Sequence, residues 1–512
     1  MSTLLPLALS PVEVPIPEGT RVSLDEHATF VDRDLVSGGS PWRLLRLVGP
    51  SRAVADRWQH GGFVRPGEER FARTLVQQGL LHPHFANDLN VDEIDVVIPF
   101  FNDDASLETI LGDLEGFHVT IVDDGSPHAV DAATCAKDYN ATLLRLQENE
   151  GPSHARNAAA LATSRPFLWF IDADVSMDDA HDVAQRLYAA FTDPLVAATA
   201  PRVQGPEGSS TREKFEQHFS PLDMGERSGL VVPGGPVGYV PSACLMVRRE
   251  AFGEGFDEAL RVGEDVDFVW RLHDRGWLVR YDSRVVVTHR TRTSWRKWWL
   301  QRQRYGASSG ELARRHGARL APLRSDPWTL LAWISVLAGQ PAIGGRLVRA
   351  ARNHARDEYF QMADQPNKVA TELVTRNMVR AGGPLARGVV RTFGVGLLLA
   401  ALHPRLRTRA LVLFAVGTAW RWRHHRPHVT DIPLGVVDDL AYGVGVAQGA
   451  WQTKSFRTLT PHVTKSSMGL KEALGLSASR DEHQERLAQA TGEVTRRWRH
   501  VIDRLSRGKS AH

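Results

Sequence analysis

"WFIDADVSMD", residues 169–178, ends an apolar run with two carboxylates on alternate positions, Asp172 and Asp174. Five apolar residues, Phe167-Leu168-Trp169-Phe170-Ile171, read as a buried strand. In extended chain, residues i and i+2 point to the same side, so Asp172 and Asp174 are able to face one ligand. Carboxylates this close repel one another unless a cation sits near them, and oxygen donors of this kind suit Mg2+ or Mn2+. Taken alone, Asp-Ala-Asp is more often a solvated turn at a strand end, so its meaning rests on what surrounds it.

Upstream, "EIDVVIPFF" (93–101) and "HVTIVDDG" (118–125) read as strands, and "CAKDYNATLLRLQENEG" (135–151) supplies another short one. Helical periodicity separates them in "DDASLETILGDLEG" (103–116), where Ala105, Ile110, Leu111 and Leu114 are available for one face. A further helix is expected from Ser153 in "SHARNAAALATS". This alternation predicts an α/β fold with a mostly parallel sheet covered by helices. Ligands of such sheets gather at the carboxyl ends of the strands. The polar clusters fall there: Pro99 to Asn102, Asp123-Asp124-Gly125-Ser126, Arg156 in "NEGPSHARN", and Asp172 with Asp174. Asp265, in "VGEDVDFVWRLHDRGW", stands in the first turn of a predicted helix, where the dipole favours its ionised form. His289 closes the strand "VVVTHR". Each also has an ordinary structural reading as a turn, a cap or a strand-end residue.

Together and in this order, "VVIPFFND", "IVDDGS", "NEGPSHARN", "FIDAD", "GFDEALRVGEDVDFVWRLHDRGW" and "VVVTHR" resemble the family 2 glycosyltransferases, which carry a GT-A nucleotide-sugar-binding core. The resemblance covers roughly residues 93 to 300. It implies that Pro99, Asp123 and Asp124 hold the base and ribose of a nucleotide sugar. It places Arg156 at the base, Asp172 at the ribose, and Asp174 with His289 at a metal on the diphosphate. Asp265 becomes the general base and Glu264 an orienting group on the acceptor side. "VPSACLMVRREAF" (240–252) and the Pro233–Pro236 loop resemble segments that shape the acceptor side. "QRQRYG" (301–306) resembles the Gln-x-x-Arg-Trp motif of sugar-polymerising relatives, with Gln301 and Arg304 in place and Tyr305 where they have Trp. That change leaves repeated addition open.

The flanks add two further regions. Residues 1–88 read as a small separate unit: a strand-like piece, a Gly-Gly turn, "WRLLRLV", a helical segment from Ser51, and "EERFARTLVQQGLLHP" ending at Gly79. "SGGSPWRLLRLV" in this setting is similar to the PqqD-like winged-helix modules of peptide-modification pathways, which take a peptide strand at a sheet edge. The whole arrangement resembles the glycosyltransferases of a peptide-derived redox-cofactor pathway. This implies transfer of glucose from UDP-glucose to a small peptide-derived acceptor by a metal-dependent, inverting hexosyltransferase that builds a β-1,4-linked chain. It also makes a precursor peptide a candidate partner at the N-terminal module.

Residues 301–512 are expected to be helical. Three stretches there, 328–345, 389–404 and 410–426, are apolar with Arg-rich flanks, and "SRDEHQERLAQATGEVTRRWRHVIDRLSRG" (479–508) is charged and helical. No 18-residue purely apolar run is present, so the expectation is association with a membrane surface rather than a clear span. The first 15 residues lack a basic n-region, and two cysteines make no disulfide framework, which points to the cytoplasm, with the inner face of the plasma membrane open to the C-terminal helices. A net charge of +3 and the lack of a basic stripe speak against nucleic acid. The alternatives are a membrane-associated family 2 enzyme that makes an envelope polysaccharide or glycolipid, and a non-catalytic peptide-binding scaffold. A nucleotidyltransferase is disfavoured because the loop after the first strand, "PFFNDDAS", is acidic and lacks Lys.

Overall fold

The computed structural model describes residues 14–463, apart from 103, 128, 209, 291–293, 361 and 424–426. The predicted charged helix at 479–508 lies outside the described residues. The N-terminal unit runs β1 (Arg21–Leu24), β2 (Thr29–Phe30), β3 (Leu35–Gly38), β4 (Arg43–Arg46), α1 (Pro50–Trp58), β5 (Gly62–Phe63), α2 (Glu69–Gln77) and β6 (Leu81–His84). "WRLLRLV" thus resolves as strand β4, and α2 stops short of Gly79 as its sequence predicts. Two small antiparallel sheets, β5-β1-β6 and β2-β3-β4, accompany the two helices. Trp58, Leu75, Val76 and Leu80 fill the core between them.

This unit is fastened to the catalytic core by an ion pair with no exposure to water. The Arg73 guanidinium on α2 donates to both carboxylate oxygens of Asp193, at 2.8 and 2.9 Å. Removing one member of such a pair leaves the other charge buried and alone. Arg73→Met is expected to cost about 3–5 kcal/mol, read as a lower urea midpoint at unchanged slope. An unshifted midpoint would mean that the pair does not hold the two parts together.

The core continues β7 (Ile94–Phe100), α3 (Asp104–Asp113), β8 (His118–Asp123), α4 (Ala129–Asp138), β9 (Thr142–Arg145), α5 (Pro152–Ala162), β10 (Phe167–Ile171) and β11 (Val175–Ser176). Then follow α6 (Ala180–Ala189), β12 (Val196–Gln204), α7 (Thr211–Phe219), β13 (Gly229–Leu230), β14 (Cys244–Arg248), α8 (Arg249–Phe252), α9 (Glu264–Asp274) and β15 (Leu278–His289). The sheet order is β11-β15-β12-β14-β10-β7-β8-β9, with β13 on β15. Strands β10, β7, β8 and β9 are parallel, as predicted. Beyond β10 the sheet becomes mixed: β14 enters antiparallel between β10 and β12, while β12 and β15 run parallel. One apolar layer on each face buries the sheet, with Ile110 and Leu111 of α3 and Leu114 just after it on one side and Phe268 and Val269 of α9 on the other.

Four further helices belong to the same compact unit: α10 (Trp295–His316), α13 (Pro366–Leu402), α14 (Arg407–Arg421) and α15 (Asp431–Thr453). Helices α10 and α15 press backbone to backbone. A Cβ at Gly306 would meet the Tyr442 carbonyl oxygen at 2.1 Å, and one at Gly445 would meet that of Gln303 at 2.0 Å. A second unit contains α11 (Pro327–Leu337) and most of α12 (Pro341–Tyr359). The apolar stretch 328–345 is thus cut at Gly339–Gln340 into two helices, the first of 11 residues. Among the described residues one helix, α13, is long and apolar enough to cross a membrane.

Candidate active site

The carboxyl ends of the parallel strands open into a cleft of about 1740 Å³. Asp172 directly follows β10, and its N–H donates to the Ala243 carbonyl at 2.9 Å. The chain turns at once, with the Val175 N–H donating to the Asp172 carbonyl, and β11 pairs antiparallel with β15 so that Val175 stands opposite His289. This register carries His289 to Asp174, with Nε2 3.1 Å from Oδ1. Each of Asp172, Asp174 and His289 offers a ligand atom, and these atoms lie within 4.8 Å of one another. Two hard oxygens and one imidazole nitrogen fit Mn2+ or Mg2+.

Across the same cleft, α9 starts at Glu264 behind Gly263. Asp265 lines the cleft, and its Oδ1 accepts from the Val266 N–H at 2.7 Å. Burial pushes its carboxyl up to about 7, and the neighbouring Glu264 charge adds to the rise. Burial also raises Glu264, against the pull of Arg156.

Arg156 ties the two carboxylate groups together. Its Nη2 donates to Asp172 Oδ1 at 2.6 Å and its Nη1 to Glu264 Oε1 at 3.3 Å, while its guanidinium carbon lies 5.4 Å from the centre of the Phe256 ring. Arg156 lines the cleft while engaged by these two acids, and the residue is 2 % exposed. Pro99 and Asp124 line the cleft. The Asp124 carboxylate accepts from the amides of Glu150 and Gly151, both at 2.8 Å, which pins the loop ahead of α5. Gly125 permits this closeness, since its φ is 70° and a Cβ would meet the Glu148 carbonyl carbon at 2.6 Å.

Asp123 is fully buried and is not among the cleft-lining residues; it accepts from the Ser126 amide at 2.9 Å and pairs with Arg145. Adjacent residues at a strand end point to opposite sides, so one of the two aspartates had to turn inward. Asp123 builds the loop that Asp124 exposes.

Gln301, Arg304 and Tyr305 on α10 all line the cleft, with Gln301 Nε2 donating to the Tyr305 hydroxyl at 3.0 Å. Gly234, Gly235 and Pro236 line it too, as do Pro241, Ser242 and Ala243 ahead of β14. Sequence reasoning passed over Tyr239, Arg391 and Tyr442, which share the same wall. It also missed Arg302 inside the Gln-Arg-Gln-Arg motif, a buried residue whose Nε donates to Asp438 on α15 at 2.6 Å and which pairs with Glu216 on α7. A doublet, Asp438-Asp439, inside an otherwise apolar helix was the available signal.

Residues 95–256 match the family model described as glycosyl transferase family 2. Over 469 residues the chain is 31% identical to the pre-mycofactocin glycosyltransferase of Mycobacterium tuberculosis, a match spanning 88% of this chain and 98% of that protein. The chain belongs to glycosyltransferase family 2, and it is an enzyme of that class. A more distant relative is the poly-beta-1,6-N-acetyl-D-glucosamine synthase of Staphylococcus aureus, 23% identical over 239 residues, 44% of this chain and 57% of that one. Among solved structures, a mannosyltransferase of Pyrobaculum calidifontis in complex with GDP-Man and Mn2+ aligns with a TM-score of 0.41 and 15% identity, covering 70% of this chain and 87% of that chain.

Proposed function

We propose that this glycosyltransferase moves glucose from UDP-glucose to premycofactocin, with inversion, and extends the product as a β-1,4-linked chain. One juxtaposition carries the chemistry: Asp265 lines the same cleft as the Asp172–Asp174–His289 cluster. The acceptor follows the full-length likeness to the pre-mycofactocin enzyme, and donor and linkage follow the family resemblance.

Mg2+ or Mn2+ held by Asp174 and His289 supplies positive charge where negative charge grows on the leaving nucleoside diphosphate. The remaining steps belong to the chain. Asp124, fixed by two amides, and Pro99 receive the nucleoside end. Asp172, held by Arg156, meets the ribose. The acceptor hydroxyl forms a bond to the anomeric carbon as the bond to the diphosphate oxygen breaks, and its proton passes to the Asp265 carboxylate. Glu264, braced by Arg156, orients the acceptor. A single displacement needs no covalent nucleophile.

The test is incubation with UDP-[14C]glucose, Mn2+ and premycofactocin, followed by mass spectrometry of the acceptor. Label in the acceptor is the expected result, and other nucleotide sugars tried in parallel identify the donor. EDTA is expected to stop transfer and added Mn2+ to restore it. An EDTA-insensitive rate would remove the metal from this reading.

The domain plan that accompanies it has residues 1–88 as a PqqD-like winged-helix module, 93–300 as the catalytic domain and 301–512 as the helical region. Among the described residues no further strand pairs with the outer strands of the module's two small sheets, which supports a peptide strand as its partner. The enzyme works in the cytoplasm at the inner face of the plasma membrane. Exposed Val395, Leu398, Leu399 and Leu402 on α13, with Leu411 and Val412 on α14, support that placement.

A further inference from the structure

One excursion of the chain builds a stretch of cleft wall and also reaches the N-terminal module. Pro221 and Leu222 line the cleft, and the chain returns to it at Gly234, Gly235 and Pro236. The residues between, 223–233, are not among the cleft-lining residues. They touch the module instead. Arg227 Nη2 donates to Asp25 Oδ1 at 3.0 Å, directly after β1. Asp25 is 5 % exposed, and its second oxygen stands 3.0 Å from Nε2 of His82 on β6. A Cβ at Gly229 would lie 3.7 Å from Cε1 of the same His82.

The returning turn, 234–236, forms a lip that rests on the module as well. A Cβ at Gly235 would meet Ser40 Oγ at 2.6 Å, so only glycine lets the module come this close. Ser40 has little room to retreat. It is buried, its N–H donates to the Gln78 carbonyl at 2.9 Å, and a Cβ at Gly79 would meet its nitrogen at 2.7 Å. The lip itself is a tight turn: the Val232 N–H donates to the Val237 carbonyl at 3.0 Å and the Gly235 N–H to the Val232 carbonyl at 2.8 Å. A push on one residue therefore moves the whole turn. Just past it, Trp270 Nε1 on α9 donates to the Gly238 carbonyl at 2.7 Å, and α9 is the helix that carries Asp265. The lip is thus held between the helix of the base and the N-terminal module.

We propose that the N-terminal module is the back of the acceptor site: through Ser40 and the Asp25–Arg227 pair it holds the Gly234–Pro236 lip where an acceptor hydroxyl is presented to Asp265. The proposal rests on the reading of this wall as the acceptor side of a glycosyltransferase cleft. Ser40, Asp25 and Arg227 act through the lip rather than on the substrate, so they are positioning residues.

The full-length protein is assayed with UDP-glucose and premycofactocin, each varied in turn. Arg227→Gln is expected to raise KM for premycofactocin at least about fivefold and to leave KM for UDP-glucose and the affinity for UDP unchanged. Arg227→Lys keeps the charge and should recover part of the loss. Gly235→Ala should act like Arg227→Gln, because its methyl collides with Ser40, and Ser40→Gly in the same chain should relieve it. A methyl that acted only inside the cleft would not respond to Ser40. Hydrogen exchange is followed on the same variants without substrate. The Val232 and Gly235 amides should exchange faster, while those of Glu150 and Gly151, bonded to Asp124, should not change. An unchanged KM for premycofactocin overturns the proposal, as do a parallel rise in both KM values and a Gly235→Ala defect that Ser40→Gly leaves in place. If the unmodified protein does not glucosylate premycofactocin, the acceptor reading fails by itself. The exchange then decides the clamp: faster exchange in Arg227→Gln and Gly235→Ala upholds it, and unchanged exchange overturns it.

Discussion

Asp265→Asn is expected to lower kcat for sugar transfer by about 10²–10⁴-fold, the range for loss of a positioned general base, while leaving UDP affinity nearly unchanged. The asparagine keeps the shape and the acceptor for the Val266 amide, so α9 starts as before. It cannot take a proton. The same carboxylate sets the pH dependence. Its carboxyl is raised to about 7, by burial first and Glu264 second. A base works only when ionised, so kcat/KM should climb with pH to about 7 and level off above. Glu264→Gln removes the neighbouring negative charge and frees Arg156 to act more strongly on Asp265. The rising limb should then move to lower pH. Full transfer by Asp265→Asn would assign the proton to another group. A limb unmoved by Glu264→Gln would assign the titration elsewhere.

What the sequence could show follows the range over which its signals act. The strands β7, β8 and β10 are apolar runs with polar ends, and their periodicity is local. Their loops were therefore placed correctly, and Pro99, Asp124, Arg156, Asp172, Asp174, Glu264, Asp265 and His289 all line one cleft. Orientation within a loop was harder. Asp123 and Asp124 are buried neighbours of identical chemistry, and only the loop bonds to Ser126 and Glu150 decide which lines the cleft. Pairings across long sequence distances were harder still. Arg156 meets Glu264 across 108 residues, and Arg302 meets Asp438 across 136. No local pattern announces the first, and the Asp438-Asp439 doublet in an apolar helix marks the second without naming its partner. The antiparallel entry of β14 into a parallel sheet is of the same kind. The C-terminal apolar stretches show the converse problem. Composition marked them as membrane-facing, whereas Gly417 also fits the second and third of them together within the enzyme, since a Cβ there would meet Val390 at 2.6 Å.

Asp174→Asn is the second large effect expected, a fall in kcat of about 10²–10³-fold, because a metal held there would contribute several kcal/mol to the transition state. Asp174 is the better probe of the two aspartates. Asp172 also anchors Arg156 at 2.6 Å, so replacing it leaves a buried guanidinium short of one partner and mixes a structural cost into the result. Asp174 faces His289 across the β11–β15 pairing, and that register is set by backbone bonds the substitution does not touch. Asparagine keeps an oxygen donor and loses the charge, so Mn2+ affinity should fall while the fold remains. Mn2+ titration followed by electron paramagnetic resonance measures this directly. Raising Mn2+ should recover part of the rate of Asp174→Asn and none of the rate of Asp265→Asn, because only the first defect is one of occupancy. His289→Gln should resemble Asp174→Asn in both respects if the imidazole is a ligand. Retention of both Mn2+ affinity and rate in Asp174→Asn would place the diphosphate's counter-charge elsewhere in the cleft, with Arg261 and Lys297, which also line it, as the next groups to replace.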